Sequence, residues 1–126
     1  MSFNIDVLKI DPVQELSLLS EFIVDQVNAF RRKGVIVGLS GGIDSACIAA
    51  VAVHALGKDK VVGLILPESE SNPISSQFAS KHAEALGIEH REINISPTVD
   101  SVVKYSWRDE FIQKMIPEYK PGYKYN

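Results

Sequence analysis

Sulfur chemistry is almost absent from this chain, since Cys47 is the single cysteine among 126 residues. An internal disulfide and a cysteine-based metal cluster are excluded on that count. A basic run is missing too, and the formal charge is −3. Nothing therefore provides a broad electrostatic footprint for nucleic acid, and no nucleic-acid partner is expected. No apolar stretch approaches the length of a membrane span. The start MSFNIDVLKIDP has acidic residues where a secretory signal has its apolar segment. A cytoplasmic protein without membrane contact is the expectation. Repeats and low-complexity segments are also lacking. What remains is ordinary: 45 % hydrophobic residues, ample for the core of one domain at most.

One stretch organises the rest. GLSGGIDS, Gly38 to Ser45, follows the apolar run Val35, Ile36, Val37 and leads into Ala46, Cys47, Ile48, Ala49. It reads as a tight strand-to-helix turn. Adjacent Gly41 and Gly42 let the backbone bend sharply and come close to a ligand. Amides at the helix start face the open end, where the dipole favours negative charge. Ser40 and Ser45 flank the turn with hydroxyls. This is a phosphate cradle, but it carries a carboxylate, Asp44, and no lysine. Neither the GxxxxGK[ST] spacing nor GxGxxG is present. A carboxylate among phosphates makes sense when a divalent cation lies between them, so Asp44 is assigned as a magnesium ligand. The plainer alternative is a helix start in which Asp44 only complements the dipole and Ser40 caps. That alternative leaves the two glycines and the second serine without a purpose.

Around the cradle the pattern is alternating. Leu16, Leu19, Ile23, Val27 and Phe30 recur at spacings of three and four, predicting a helix over residues 12–33. Asp11 can cap it, Pro12 suits its first position, Gln14 completes a capping-box-like arrangement, and Gly34 stops it. Strand one is Val35 to Leu39, apolar at nearly every position, as in a parallel strand covered on both faces. A small-residue helix over Ile43 to Leu56 follows, then strand two over Val61 to Leu66. A polar turn from Glu68 leads to a helix capped by Asn72 and started by Pro73, ending at Gly87. Strand three spans about Glu89 to Ile95. This gives consecutive right-handed crossovers in a parallel sheet of order 3-2-1. Ligands in such sheets bind beyond the carboxyl ends of the strands. From Ser96 a single helix carrying Val99, Val103, Trp107, Phe111 and Met115 is expected, then a loop from Pro117 through Tyr119 to Asn126.

SGGIDS resembles the SGGxDS signature of the N-type ATP pyrophosphatases, which split ATP between its α and β phosphates. The wider context, KGVIVGLSGGIDSACIAAVAVHALG, VVGLILPESESNP and HAEALGIEHREINI, is similar to NAD synthetases over most of residues 1–96. The resemblance implies an α/β, Rossmann-like (adenine nucleotide alpha-hydrolase-like) sheet with helices on both faces. It implies ATP and Mg2+ bound by Gly38, Leu39, Ser40, Gly41, Gly42, Ile43, Asp44 and Ser45, with an adenine edge near Leu66. Ser40, Asp44 and Ser45 then act electrostatically, and no residue serves as nucleophile or base. The implied reaction adenylates the nicotinate carboxylate of deamido-NAD and lets ammonia displace AMP. A homodimer is implied for the full-length form. The rivals are another ATP pyrophosphatase with a different acceptor and an ATP-binding fragment without turnover.

The expected layout is one incomplete domain, with an N-terminal helix in 1–34, the core in 35–96, and a helix and loop in 97–126. Order 3-2-1 leaves strand one at an edge although its sequence suits a central strand. The remaining strands are thus expected from a longer chain or from a partner.

Outside the cradle the readings are modest. Glu68, Ser69, Ser71 and Asn72 can contact a ribose or phosphate, but ordinary turn and cap chemistry explains them. His54, His82 and His90 share no ligand spacing, so metal binding by them is not expected. Cys47 reads as a small buried hydrophobe. Trp107 and the tyrosines pack or mark an interface.

Overall fold

Asp11 opens the first helix as expected: its Oδ1 accepts from the amides of Val13 at 3.0 Å and Gln14 at 3.3 Å. The computed structural model describes residues 9–102 and 105–120. They fall in two compact units, divided after Ile93, which are described separately. In the first unit, α1 (Pro12–Ala29) precedes β1 (Val35–Gly38), α2 (Ile43–Leu56), β2 (Val61–Ile65), α3 (Pro73–Leu86) and β3 (Glu89–Glu92). The strands are parallel in the order β1-β2-β3, with Val35 beside Val61 and Val62 beside Glu89. This is the expected α/β sheet of order 3-2-1.

Helix α1 ends four residues earlier than its sequence suggests. Arg31 takes a left-handed conformation at φ 52°. The amide of Arg32 reaches the Val27 carbonyl at 2.8 Å and that of Arg31 reaches Asn28 at 2.9 Å. This paired closure normally uses glycine at the left-handed position. Gly34 is needed elsewhere, because a β-carbon there would run into the Lys60 carbonyl where β1 and β2 start together. Left-handed backbone costs an L-residue about 1–2 kcal/mol, partly offset by the lost chain entropy of glycine. Arg31→Gly is accordingly expected to stabilise the chain by about 0.5–1 kcal/mol, read as a raised midpoint in urea.

The core is Leu39, Ala49, Ala52, Val61, Ile65, Ala79, Ala83 and Ile88. Four alanines on α2 and α3 let those helices lie close to the strands, while each larger aliphatic contributes about 1.5–3 kcal/mol by burial. Burial alternates along β2, with Val61, Gly63 and Ile65 inside. Helix α1 packs on α2. Its inner stripe is Leu16, Ile23 and Val27, whereas Leu19 and Phe30, grouped with them by spacing, are exposed. Strand β1 is an edge of the described sheet, and Ile36 on it is 71 % exposed.

Two corrections concern α2 and β3. Cys47 is exposed, not buried. It sits about 200° around the helix from buried Ala49, so it points away from the core. Regular pairing in β3 ends at Glu92, after which only the Ile93 amide continues, to the Ile65 carbonyl at 2.9 Å.

In the second unit, helix is described over α4 (Ser96–Val102) and α5 (Tyr105–Met115); the single helix expected from Ser96 also crosses residues 103–104, which lie outside the described residues. Val103 lies outside the described residues, as do Tyr123, Tyr125 and the rest of 121–126. The apolar residues that suggested one helix recur every fourth position. Such a row drifts about 40° per step around a helix and defines no single buried stripe. Trp107, Phe111 and Met115 are accordingly all exposed.

Asp109 is the polar anchor of this unit. Its Oδ1 accepts from Arg108 at 2.8 Å and from the Tyr119 hydroxyl at 2.9 Å. The Arg108 and Tyr119 hydrogen bonds hold its carboxyl below the usual range, and Asp109 in turn raises the Tyr119 phenol. The Asp109 contribution to stability is thus present above the ordinary carboxylate pKa and lost as pH falls through its lowered value. The Tyr119 contribution is lost instead as pH rises through its raised value. Tyr119→Phe should move the Asp109 titration upward when followed by carboxyl-carbon NMR, and an unmoved titration would refute the contact.

Candidate functional site

The turn between β1 and α2 is built from its glycines outward. Leu39 is buried and its amide continues the sheet to the Leu64 carbonyl at 2.8 Å, which fixes where the turn leaves the strand. Gly41 has φ 80°, and a β-carbon on it would collide with the Ser75 backbone of α3. Gly42 is the first cap residue of α2 and offers no side chain to its amides. The first intrahelical bond runs from Ala46 N to Gly42 O at 3.2 Å. The amides of Ile43, Asp44 and Ser45 therefore have no carbonyl partner in their own helix. Helices α1 and α3 differ, since Asp11 and Asn72 side chains take amides of their first turns.

The serines are turned on each other. Ser45 Oγ donates to the Gly42 carbonyl at 3.0 Å and accepts from the Ser40 amide at 3.2 Å. Ser40 Oγ lies 3.1 Å from Ser45 Oγ and accepts from the Gly42 amide at 3.3 Å. With the Ser45 hydrogen committed to Gly42, Ser40 is the donor between the hydroxyls. Either hydroxyl can serve an anion only by rotating away from this internal ring. Asp44 is exposed in the first turn of α2, free to meet a cation beside a bound anion.

Two cavities flank the turn. One, of about 280 Å³, is lined by Leu39, Ser40, Ile65, Leu66, Pro67, Ser71, Asn72, Ser75 and Ser76. It brings together the ends of β1 and β2 with the loop after β2, including exposed Leu66. The other, of about 360 Å³, lies on the α2–α3 side and is lined by Gly41, Gly42, Ile43, Ser45, Phe78 and His82 among others. Gly38, at the end of β1, has open space around its α-carbon. All the residues assigned from the sequence thus lie on or beside one turn. Ser75, Phe78 and His82 line these cavities as well, and their residue types alone assign them no role at the site. The signal in the sequence was faint: Ser75, Phe78 and His82 fall at spacings of three and four on one face of α3.

The other candidates resolve into local structure. In the loop after β2, Glu68 accepts from the Glu70 amide at 2.9 Å and Ser71 Oγ accepts from the Glu68 amide at 3.0 Å. These groups hold their own turn. His82 Nε2 lies 3.0 Å from the Ala46 carbonyl. Among the described residues, no three His, Cys, Asp or Glu side chains gather as a metal cluster. A cation here would rest on Asp44, the substrate's own oxygens and water, which fits the habit of magnesium.

A sequence profile of the NAD synthase family matches residues 15–117. The chain belongs to the NAD synthase family. It is similar to the NH(3)-dependent NAD(+) synthetase of Rhizobium meliloti (strain 1021), at 39 % identity over 121 residues. That match covers 96 % of the chain and 36 % of the relative, so the chain spans about a third of the curated protein's length. Among solved structures it is similar to an NMN synthetase from Francisella tularensis, with a TM-score of 0.70 and 31 % identity over 79 % of this chain and 41 % of that one. It is also similar to a glutamine-dependent NAD+ synthetase from Acinetobacter baumannii in complex with ADP, with a TM-score of 0.63 and 31 % identity over 85 % of this chain and 19 % of that one. No helix among the described residues is long and apolar enough to cross a membrane.

Proposed function

We propose that the chain is the nucleotide-holding part of an ATP-dependent, amide-forming ligase of the NAD synthetase type. The observation that carries this reading is the start of α2, where the Ile43, Asp44 and Ser45 amides have no side-chain cap, in a turn whose Leu39 and Ser40 line the cavity at the carboxyl ends of β1 and β2. ADP in the Acinetobacter neighbour supports an adenine nucleotide as the occupant. In this reading a nicotinate carboxylate attacks the α-phosphorus of ATP, and the bond to the β-phosphate oxygen breaks. Ammonia then attacks the acyl carbon, AMP leaves with the C–O electron pair, and a proton passes to solvent.

The chain's contribution is electrostatic and geometric. The three amides point where negative charge grows on departing pyrophosphate, and being fixed by the turn they need no reorganisation. Ser40 and Ser45 add hydroxyl donors once rotated. Asp44 would hold magnesium, which would supply charge neutralisation at the phosphates. No residue of the turn is required as a nucleophile or general base. The backbone of Gly38, Leu39 and Leu66 accommodates the adenine, and residues 1–126 work as one incomplete ATP-pyrophosphatase domain. In this reading the full-length enzyme works in the cytoplasm as a homodimer.

Pyrophosphate release from Mg-ATP that requires both deamido-NAD and ammonia tests the reading. Nucleotide binding without any release would favour a binding fragment lacking turnover. No binding of Mg-ATP in calorimetry would end the proposal. The Francisella neighbour, an NMN synthetase, favours a second reading in which the acceptor is a mononucleotide. Competition between the two acceptors in the same assay separates them.

A further inference from the structure

Helix α3 meets the turn at Gly41 and again at Ala46, and the contact at Ala46 has no role in the reading above. The Ala46 carbonyl can only accept, so the His82 nitrogen 3.0 Å from it must carry the hydrogen, which fixes the ring as its Nε2–H form or as the cation. The bond joins residues 36 apart in sequence, and His82 is half-buried. Ala46 is tied on its other side too, because its amide donates to Gly42 at 3.2 Å. The first contact is at Gly41, seated against the Ser75 backbone with no room for a β-carbon. Ser75 and His82 are seven positions apart on one helix, a separation of about 10 Å along its axis. Between these two pins lies the 360 Å³ cavity, so packing does little to hold the turn there.

We propose that His82 is a positioning residue for nucleotide binding, acting through Ala46 to fix the first turn of α2 against α3. This rests on the nucleotide reading of the turn. Because the loop after β2 leads straight into α3, the same two pins keep the two walls of the nucleotide cavity at a fixed spacing. The amides that face the phosphates are then held before a ligand arrives, which is where positioning yields affinity.

The test uses the full chain and three variants. In His82→Gln the amide nitrogen reaches the place of Nε2. In His82→Asn it stops at that of Nδ1, and His82→Leu fills the volume without a donor. Hydrogen exchange at the Ser40, Gly42 and Ala46 amides is expected to speed up about five- to tenfold in the Leu and Asn variants, the scale of one lost hydrogen bond. Mg-ATP affinity by calorimetry should fall by about the same factor, and Gln should restore both to within about twofold. Ring nitrogen shifts in the unaltered chain should show a protonated Nε2 above neutral pH. Leu and Asn variants that behave like the parent, a Gln variant as impaired as Leu, or a ring protonated only at Nδ1 would each overturn the assignment. If the Leu variant does not fold, the Gln and Asn pair decides. If the parent chain binds no Mg-ATP, the nucleotide reading falls, while the exchange rates still decide whether His82 holds the turn.

Discussion

Gly41→Ala is expected to lose nucleotide binding and a measurable part of the fold's stability together. Two effects add. At φ 80° an alanine sits in the left-handed region, which costs about 1–2 kcal/mol. Its β-carbon also meets the carbonyl carbon and α-carbon of Ser75, each at 2.9 Å, and backbone cannot yield as a side-chain tip can. The turn must move off α3, so a loss of about 2–4 kcal/mol is expected in urea unfolding. On the proposed reading, displacing the amides of Ile43, Asp44 and Ser45 by about an ångström should lower Mg-ATP affinity by at least about tenfold and turnover by about a hundredfold. Gly42→Ala is the control. Gly42 has φ −90°, and its β-carbon would meet only Ser40 Oγ at 3.4 Å. That variant should keep its stability within about 1 kcal/mol. A Gly41→Ala chain that binds nucleotide like the parent would remove the turn from the site.

On the proposed reading, Asp44→Ala separates the metal's contribution from that of the turn. The carboxylate is exposed, and its service to the fold is limited to the helix dipole, about 0.3–1 kcal/mol. A chain with this change should therefore unfold at nearly the parent's urea concentration. Its ATP affinity in magnesium should fall to the level seen with a chelator, a loss of at least about tenfold given magnesium's charge at the phosphates. In chelator the variant should bind as well as the parent or better, since one negative charge beside the phosphates is gone. Calorimetry with and without magnesium reads all four values. Unchanged magnesium dependence would show that the cation rests on other oxygens.

What was legible in the sequence was mostly local. Asp11 with Pro12 and Asn72 with Pro73 mark helix starts because capping needs only residues two or three apart. The apolar runs in β1 and β2 point to a parallel sheet, which is what forms, although burial alternates along both strands. The turn could be read because its glycines, serines and aspartate are contiguous. The failures each depend on partners far along the chain. Gly34 looked like a helix stop, but its need is set by Lys60, and Arg31 takes the left-handed position. His82 was considered only as a metal ligand, because its bond to Ala46 spans 36 residues and leaves no spacing to read. The Ser96–Met115 run is helical over Ser96–Val102 and Tyr105–Met115 as its spacing suggests, but a fourfold spacing fixes no buried face.

Cys47 has a practical meaning that follows from its exposure and its solitude. A maleimide added to the native chain has one thiol to find, two residues along α2 from Ser45. An environment-sensitive fluorophore attached there reports occupancy of the neighbouring turn directly, with no engineered handle and no second dye site to correct for.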